Sequence, residues 1–148
     1  MDLILWRHAE AVDSTPDHAR ELTAKGHKQA AKAAAFLHQH LPGEHRILVS
    51  PAARTRQTVA SLTDHFTLAP TIAPGASAQA VLLAARWPDA GGTVLIVGHQ
   101  PTLGEVAAQL LGCEGCSLSI KKGALWWFSQ REGSSQATLR LAIAPDFL

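Results

Sequence analysis

The chain opens on an unbroken apolar run, Leu3-Ile4-Leu5-Trp6, with no polar positions alternating through it. That is the pattern of a strand covered on both faces. It stops abruptly at Arg7-His8-Ala9-Glu10, and from about Asp13 to Arg20 a mixture of Asp, Ser, Thr, Pro and His without period reads as a loop. Thr23 then fits an N-cap. Ala24 to His40 is Ala-rich, with Ala30, Ala33, Ala34 and Leu37 on one apolar face, and predicts a helix stopped by Pro42-Gly43. Ile47-Leu48-Val49 predicts a second buried strand, followed by Ser50-Pro51 as N-cap and first position of a helix reaching about Phe66. Residues 68 to 72 predict a third strand, Ser77 to Arg86 a third helix, and Thr93 to Val97 a fourth strand of β-branched and apolar residues. Gly98-His99-Gln100-Pro101 then turns into a helix ending near Gly112. Gly123 to Ser129 and Ala137 to Ile143 predict a closing pair of strands joined by a polar turn. Alternation on the first of that pair sets Trp126 and Phe128 on one face and Trp127 on the other, while Trp6 belongs in the core. No repeat or low-complexity segment interrupts the pattern.

Strand alternating with helix predicts an α/β three-layer sandwich, with a mostly parallel central sheet and helices on both faces. A chain of 148 residues suits a single domain, 1–148, and 47% hydrophobic with 17% charged residues excludes a largely disordered one. The net charge of +1 argues against broad attraction to nucleic acid or membrane, so any anion site must be local. No secretory signal and no bilayer-length apolar run is seen, which points to a cytoplasmic protein; a monomer is expected. Cys113 and Cys116 read as incidental reduced thiols rather than a labile disulfide or a metal site. A zinc site would need two more ligands, and a redox motif would need a strand-to-helix turn near the start of a βαβ unit.

In sheets of this class ligands bind beyond the carboxyl ends of the strands. Three segments deliver polar residues there: Arg7-His8 after the first strand, Ser50 to Arg54 after the second, and His99 after the fourth. Arg presents a planar fork that matches phosphate oxygens, and His is a nitrogen nucleophile near neutral pH. Arg54 stands in the first turn of a helix, where the positive end of the dipole disfavours a cation unless an anion is bound. Arg56 is expected to point into solvent. Gly98 is expected to let the backbone approach a ligand or take a turn closed to other residues. Alone, each feature is as readily a polar turn, a solvated arginine or a satisfied structural histidine; their convergence on one edge is what suggests phosphoryl chemistry. Asp17 and Arg20 are expected to form a local ion pair without a catalytic role, and His18, His27, His38, His40, His45 and His65 to be solvated.

Four segments in order carry a resemblance: Arg7-His8-Ala9-Glu10-Ala11, Leu22-Thr23-Ala24-Lys25-Gly26 with Gln29-Ala30, the run from Leu48 through Ser50-Pro51 and Arg54 to Thr58, and Val97-Gly98-His99-Gln100-Pro101. They resemble the histidine phosphatase superfamily, with its phosphoglycerate-mutase-like fold. The short chain and the Arg-His-Ala form look most like the SixA-type phosphohistidine phosphatase branch. The resemblance implies that His8 is the nucleophile that takes the phosphoryl group, with Arg7, Arg54 and His99 holding its oxygens. Ser50 and Glu10 are further substrate-binding candidates. No metal and no cofactor is implied, and two Arg plus one His can supply the charge that phosphoryl transfer needs without Mg²⁺.

Two departures bear on the substrate. Mutase-like members and many phosphomonoesterases carry Gly after the nucleophilic His and an Asn shortly after, where this chain has Ala9 and Ala11-Val12-Asp13. They also supply an acidic proton donor between the second and fourth motifs; from Ser50 to His99 Asp64 and Asp89 are the only carboxylates here, and both look like exposed helix ends. A missing acid cripples departure of a sugar alkoxide but matters little for imidazole, which leaves as the neutral ring after protonation from solvent. The expectation is therefore a metal-independent phosphatase acting on phosphohistidine in a protein. A phosphatase of small phosphoesters or phosphoanhydrides, and a non-catalytic phosphate-binding or docking module, are the alternatives.

Overall fold

The computed structural model describes residues 1–113, 115–116 and 118–148. Strands β1 (Asp2–Arg7), β2 (Arg46–Val49), β3 (Thr67–Leu68), β4 (Thr93–Gly98), β5 (Leu125–Ser129) and β6 (Thr138–Ile143) form one sheet in the order β3-β2-β4-β1-β5-β6. β3, β2, β4 and β1 are parallel neighbours, and β5 and β6 add antiparallel pairs at one side. Helices α1 (Ala24–His40), α2 (Ala53–Ala60), α3 (Ala78–Ala85) and α4 (Thr102–Leu110) cover the two faces. Leu3 and Leu5 pack with Val81, Leu103, Val106 and Phe128, whereas Ile4 and Trp6 pack with Ala33, Leu37, Val59 and Trp127. Thus α3 and α4 lie on one face, α1 and α2 on the other. This explains the unbroken apolar runs: side chains of β1 and β4 alternate between two cores, and both are dry.

Thr23 caps α1 as expected, its Oγ1 accepting from the Gly26 N–H at 2.9 Å. Four expectations are corrected. Ser50-Pro51 does not start α2, which begins at Ala53 after Ala52 as an N-cap without a side-chain bond. The Ser50 N–H instead extends the sheet to the Val97 carbonyl, and its hydroxyl is used elsewhere. α2 also ends at Ala60, short of Phe66, where the Ser61 hydroxyl takes the Thr58 carbonyl at 2.6 Å and offers the backbone an alternative to helix. The third strand is only Thr67–Leu68, because Pro70 cannot donate to a ladder and begins a 3-10 turn over Pro70–Ile72. Cys113 and Cys116, expected as free thiols, are joined as a disulfide, their turn setting the Cα atoms 5.5 Å apart, within a disulfide's reach.

The aromatic run on β5 alternates as the pattern predicts, Trp126 and Phe128 joining one core and Trp127 the other. Trp127 is buried too, its indole N–H donating to Asp2 Oδ2 at 2.8 Å. Among the described residues no helix is long and apolar enough to cross a membrane.

Candidate active site

Parallel pairing levels the strand ends, with Arg7 opposite Gly98 and Val49 opposite Val97. The ladders then continue by one bond into the loops: the His8 N–H donates to the Gly98 carbonyl and the Ser50 N–H to the Val97 carbonyl, each at 3.1 Å. The sheet itself therefore delivers Arg7, His8, Ser50 and His99 to one edge, and α2 adds Arg54. Gly98 has ordinary extended backbone rather than a turn closed to other residues, and a Cβ there would meet Leu103 at 3.4 Å, about ordinary van der Waals contact.

His8 is buried, and its Nδ1 lies 2.8 Å from the Ala9 carbonyl. A carbonyl only accepts, so Nδ1 carries the proton and Nε2 keeps its lone pair. Burial above all, aided by the charges of Arg54, Arg7 and Arg20 and opposed by the Ala9 bond, lowers His8 to about 4. The ring is neutral at physiological pH. His99 stands beside it, ring centroids 5.3 Å apart. Its Nε2 meets Ser50 Oγ at 2.7 Å, and burial first, then the neighbouring His8 and Arg54, lowers it to about 3 against the opposing pull of Asp17. It too is neutral.

The guanidinium of Arg54 is buried and donates from Nη1 to the Asp17 carbonyl at 2.9 Å and from Nη2 to Asp17 Oδ2 at 3.2 Å. Arg7 donates from Nη1 to the Ile120 carbonyl at 2.8 Å. Among the described residues, three buried side-chain polar atoms have no partner: Arg7 Nε, Arg54 Nε and His99 Nδ1. A buried donor left without an acceptor costs roughly 1–3 kcal/mol. All three belong to the residues that the sequence offers as phosphate holders, and a tetrahedral oxyanion has enough acceptor oxygens for all of them.

Asp17 and Thr58 were not expected at the site. Asp17 pairs with Arg20 as predicted, at 3.2 Å, but also orients Arg54. Desolvation, the largest single influence, pushes its carboxyl up, but the bonds to Arg20 and Arg54 together with their charges outweigh it and hold the carboxyl below the usual range. No periodicity could reveal this pair, because 37 positions of chain separate its members. Thr58 Oγ1 accepts from the Ala9 N–H at 3.0 Å and donates to the Arg54 carbonyl at 2.7 Å, tying the His8 loop to α2. Its place one helical turn after Arg54 was the available signal. Glu10 is engaged away from the imidazoles: Oε1 accepts from Thr23 Oγ1 at 2.9 Å and Oε2 lies 3.9 Å from Lys25 Nζ. Asp64, Asp89 and Arg56 are exposed, as expected.

A family model described as histidine phosphatase superfamily (branch 1) matches residues 3–81. The chain belongs to the histidine phosphatase superfamily. A relative from Haemophilus influenzae, named a phosphohistidine phosphatase SixA homolog, is 35% identical over 76% of this chain and 78% of its own length. The protein histidine phosphatase SixA, solved with tungstate, superposes on this histidine phosphatase with a TM-score of 0.82 at 24% identity, over 99% of each chain. A phosphoserine phosphatase from Entamoeba histolytica also shares the fold, with a TM-score of 0.75 at 17% identity over 99% of this chain and 98% of its own. The phosphoglycerate-mutase-like α/β fold is thus shared by phosphatases named for different substrates. This histidine phosphatase is of the SixA type, and its activity is that of a phosphatase.

Proposed function

We propose that the enzyme removes the phosphoryl group from phosphohistidine in proteins, by way of a phosphoryl group carried on His8. Nε2 of His8 attacks phosphorus in line with the substrate P–N bond; that bond breaks, and the substrate imidazole leaves as a neutral ring, taking a proton from solvent if it lacks one. Arg7, Arg54 and His99 hold the equatorial oxygens as charge redistributes, and Ser50 fixes the His99 ring. His8 becomes cationic, its Nδ1 proton still directed at the Ala9 carbonyl. Water then attacks phosphorus, and His8 leaves as a neutral ring because Nδ1 keeps its proton, the water proton passing to the phosphate product.

The carrying observation is the state of His8: neutral, its proton committed to Ala9, and grouped with the three holders whose buried nitrogens have no partner. The reading of the substrate class is supported by the exposed positions of Asp64 and Asp89 and the engagement of Glu10 by Thr23 and Lys25, which favour a leaving group that needs no enzyme acid. An acid catalyst contributes roughly 10²–10⁴-fold to departure of an alkoxide, so kcat/KM for a histidine-phosphorylated protein should exceed that for an alkyl monoester such as glycerol 2-phosphate by about 10² or more. Rapid quench with the phosphorylated protein should trap labelled, acid-labile phosphoenzyme, and His8→Ala should lose at least about 10³-fold in turnover. Faster hydrolysis of the monoester would move the assignment to small phosphoesters. Absence of turnover on every substrate would leave a phosphate-binding module.

A further inference from the structure

All five lysines of the chain, Lys25, Lys28, Lys32, Lys121 and Lys122, line a single groove of about 800 Å³ that reaches Arg7. They are exposed, and the groove's two carboxylates among the described residues are Asp146 and Glu10, the latter already held by Thr23 and Lys25. In a protein of net charge +1 this is a segregated patch, not general basicity. Spacing i, i+3, i+7 puts Lys25, Lys28 and Lys32 on one face of α1 over about 10 Å of its length. Lys25 is in the first turn, which has no acidic residue, so helix and side chain repel there. Glu10, 3.9 Å from Lys25, offsets part of that repulsion, while Lys28 and Lys32 have no carboxylate partner among the described residues.

Three features decide what kind of anion fits. The cations facing the open groove are ammonium groups on long, flexible stems rather than the planar forks that grip one phosphate, so they suit carboxylates distributed over a surface. Their span along α1 is that of two turns of a facing helix. A second groove of about 500 Å³ adjoins through Lys121 and Ala144 and is lined by Trp126, Ile143 and Phe147, with Phe147 79% exposed. A strip of lysines beside a strip of apolar side chains matches an amphipathic acidic helix and not a small polyanion.

We infer that this double groove docks the protein substrate: an acidic amphipathic helix whose carboxylates meet the lysines, whose apolar edge meets Trp126 and Phe147, and whose phosphohistidine is delivered past Arg7. The inference rests on the phosphohistidine-protein reading of the site and names what that site recognises beyond the phosphoryl group.

The test uses two helical peptides, each phosphorylated on one histidine with phosphoramidate, one with Glu and one with Gln at the same flanking positions. At low salt the wild-type enzyme should hydrolyse the Glu peptide with about tenfold higher kcat/KM, carried in KM, and the preference should shrink as ionic strength shortens electrostatic reach. The Lys28→Glu/Lys32→Glu/Lys122→Glu variant should lose or invert the preference while its turnover of phosphoimidazole stays within about twofold of wild type, a result that a general structural defect would not give. Arg131→Glu, exposed in the turn after β5, should leave the preference intact. Equal use of both peptides by wild type, or an unchanged preference in the triple variant, overturns the groove assignment alone. Failure of wild type to hydrolyse either peptide overturns the phosphohistidine reading and the docking helix with it. A triple variant impaired only toward inorganic polyphosphate would assign the groove to small anions and overturn it as well.

Discussion

Ser50 illustrates how much a single hydroxyl can decide. Nε2 of His99 is buried against Ser50 Oγ at 2.7 Å, and when that hydroxyl donates, Nδ1 must carry the His99 proton and can donate to an oxyanion. Removing the hydroxyl frees the choice of tautomer and leaves a second buried nitrogen without a partner. Ser50→Ala should lower kcat/KM by about tenfold, in line with the roughly 1–3 kcal/mol cost of an orphaned buried group, and should weaken binding of inorganic phosphate in parallel. Unchanged kinetics would mean that His99 is oriented by packing alone. The sequence marked Ser50 as a helix cap, the commonest use of a serine before Pro. It could not show that the ladder bond to Val97 pulls this serine out of the helix and into contact with His99.

At the level of elements, the loop after β1 is clamped between two helices. Ala9 bonds to Thr58 of α2, and the Glu10 carbonyl accepts from the Thr23 N–H at the start of α1. Gly26 lets α1 come this close, for a Cβ there would collide with the Glu10 carbonyl oxygen. Alanine in place of glycine inside a helix ordinarily stabilises by about 1 kcal/mol; here the collision should reverse the sign. Gly26→Ala should cost roughly 1–3 kcal/mol, lowering Tm by several degrees, and should reduce kcat by displacing the His8 loop. Gly43→Ala, with nothing within 4 Å, should do neither. A Gly26→Ala protein with wild-type Tm and kcat would show that the clamp does not position the loop.

For the molecule as a whole, two buried neutral imidazoles make stability depend on pH. His8 is held at about 4 and His99 at about 3, both below the 6.5 of an unfolded chain. Between those values the unfolded state binds more protons than the folded one, so stability is full above about pH 6.5 and falls as pH drops toward 4. The full loss is on the order of 3 kcal/mol for His8 and on the order of 5 kcal/mol for His99, the latter complete only as pH falls through about 3. Thermal melts from pH 7 to 5, above the main carboxylate range, should show Tm falling in chloride and falling less in sulfate, because a bound oxyanion favours the protonated rings. The fall should disappear in His8→Gln/His99→Gln, and a flat wild-type profile would contradict the buried neutral state of the pair.

Local pattern carried most of the architecture. Unbroken apolar runs marked β1 and β4 because both faces of a central parallel strand are dry, and the cap at Thr23 and the apolar stripe of α1 are properties of neighbouring residues. The strand-end positions of Arg7, His8, Ser50 and His99 were legible for the same reason, since carboxyl ends of parallel strands share an edge whatever their order in the sheet. What chain-local pattern could not supply were relations between distant segments: Asp17 holding Arg54, Thr58 holding Ala9, Glu10 turned toward Thr23, and lysines from two ends of the chain lining one groove. Each depends on which surfaces meet when the helices settle on the sheet. Hydrophobic periodicity sets which face of an element is buried; the pairing of polar groups is set only by the final packing.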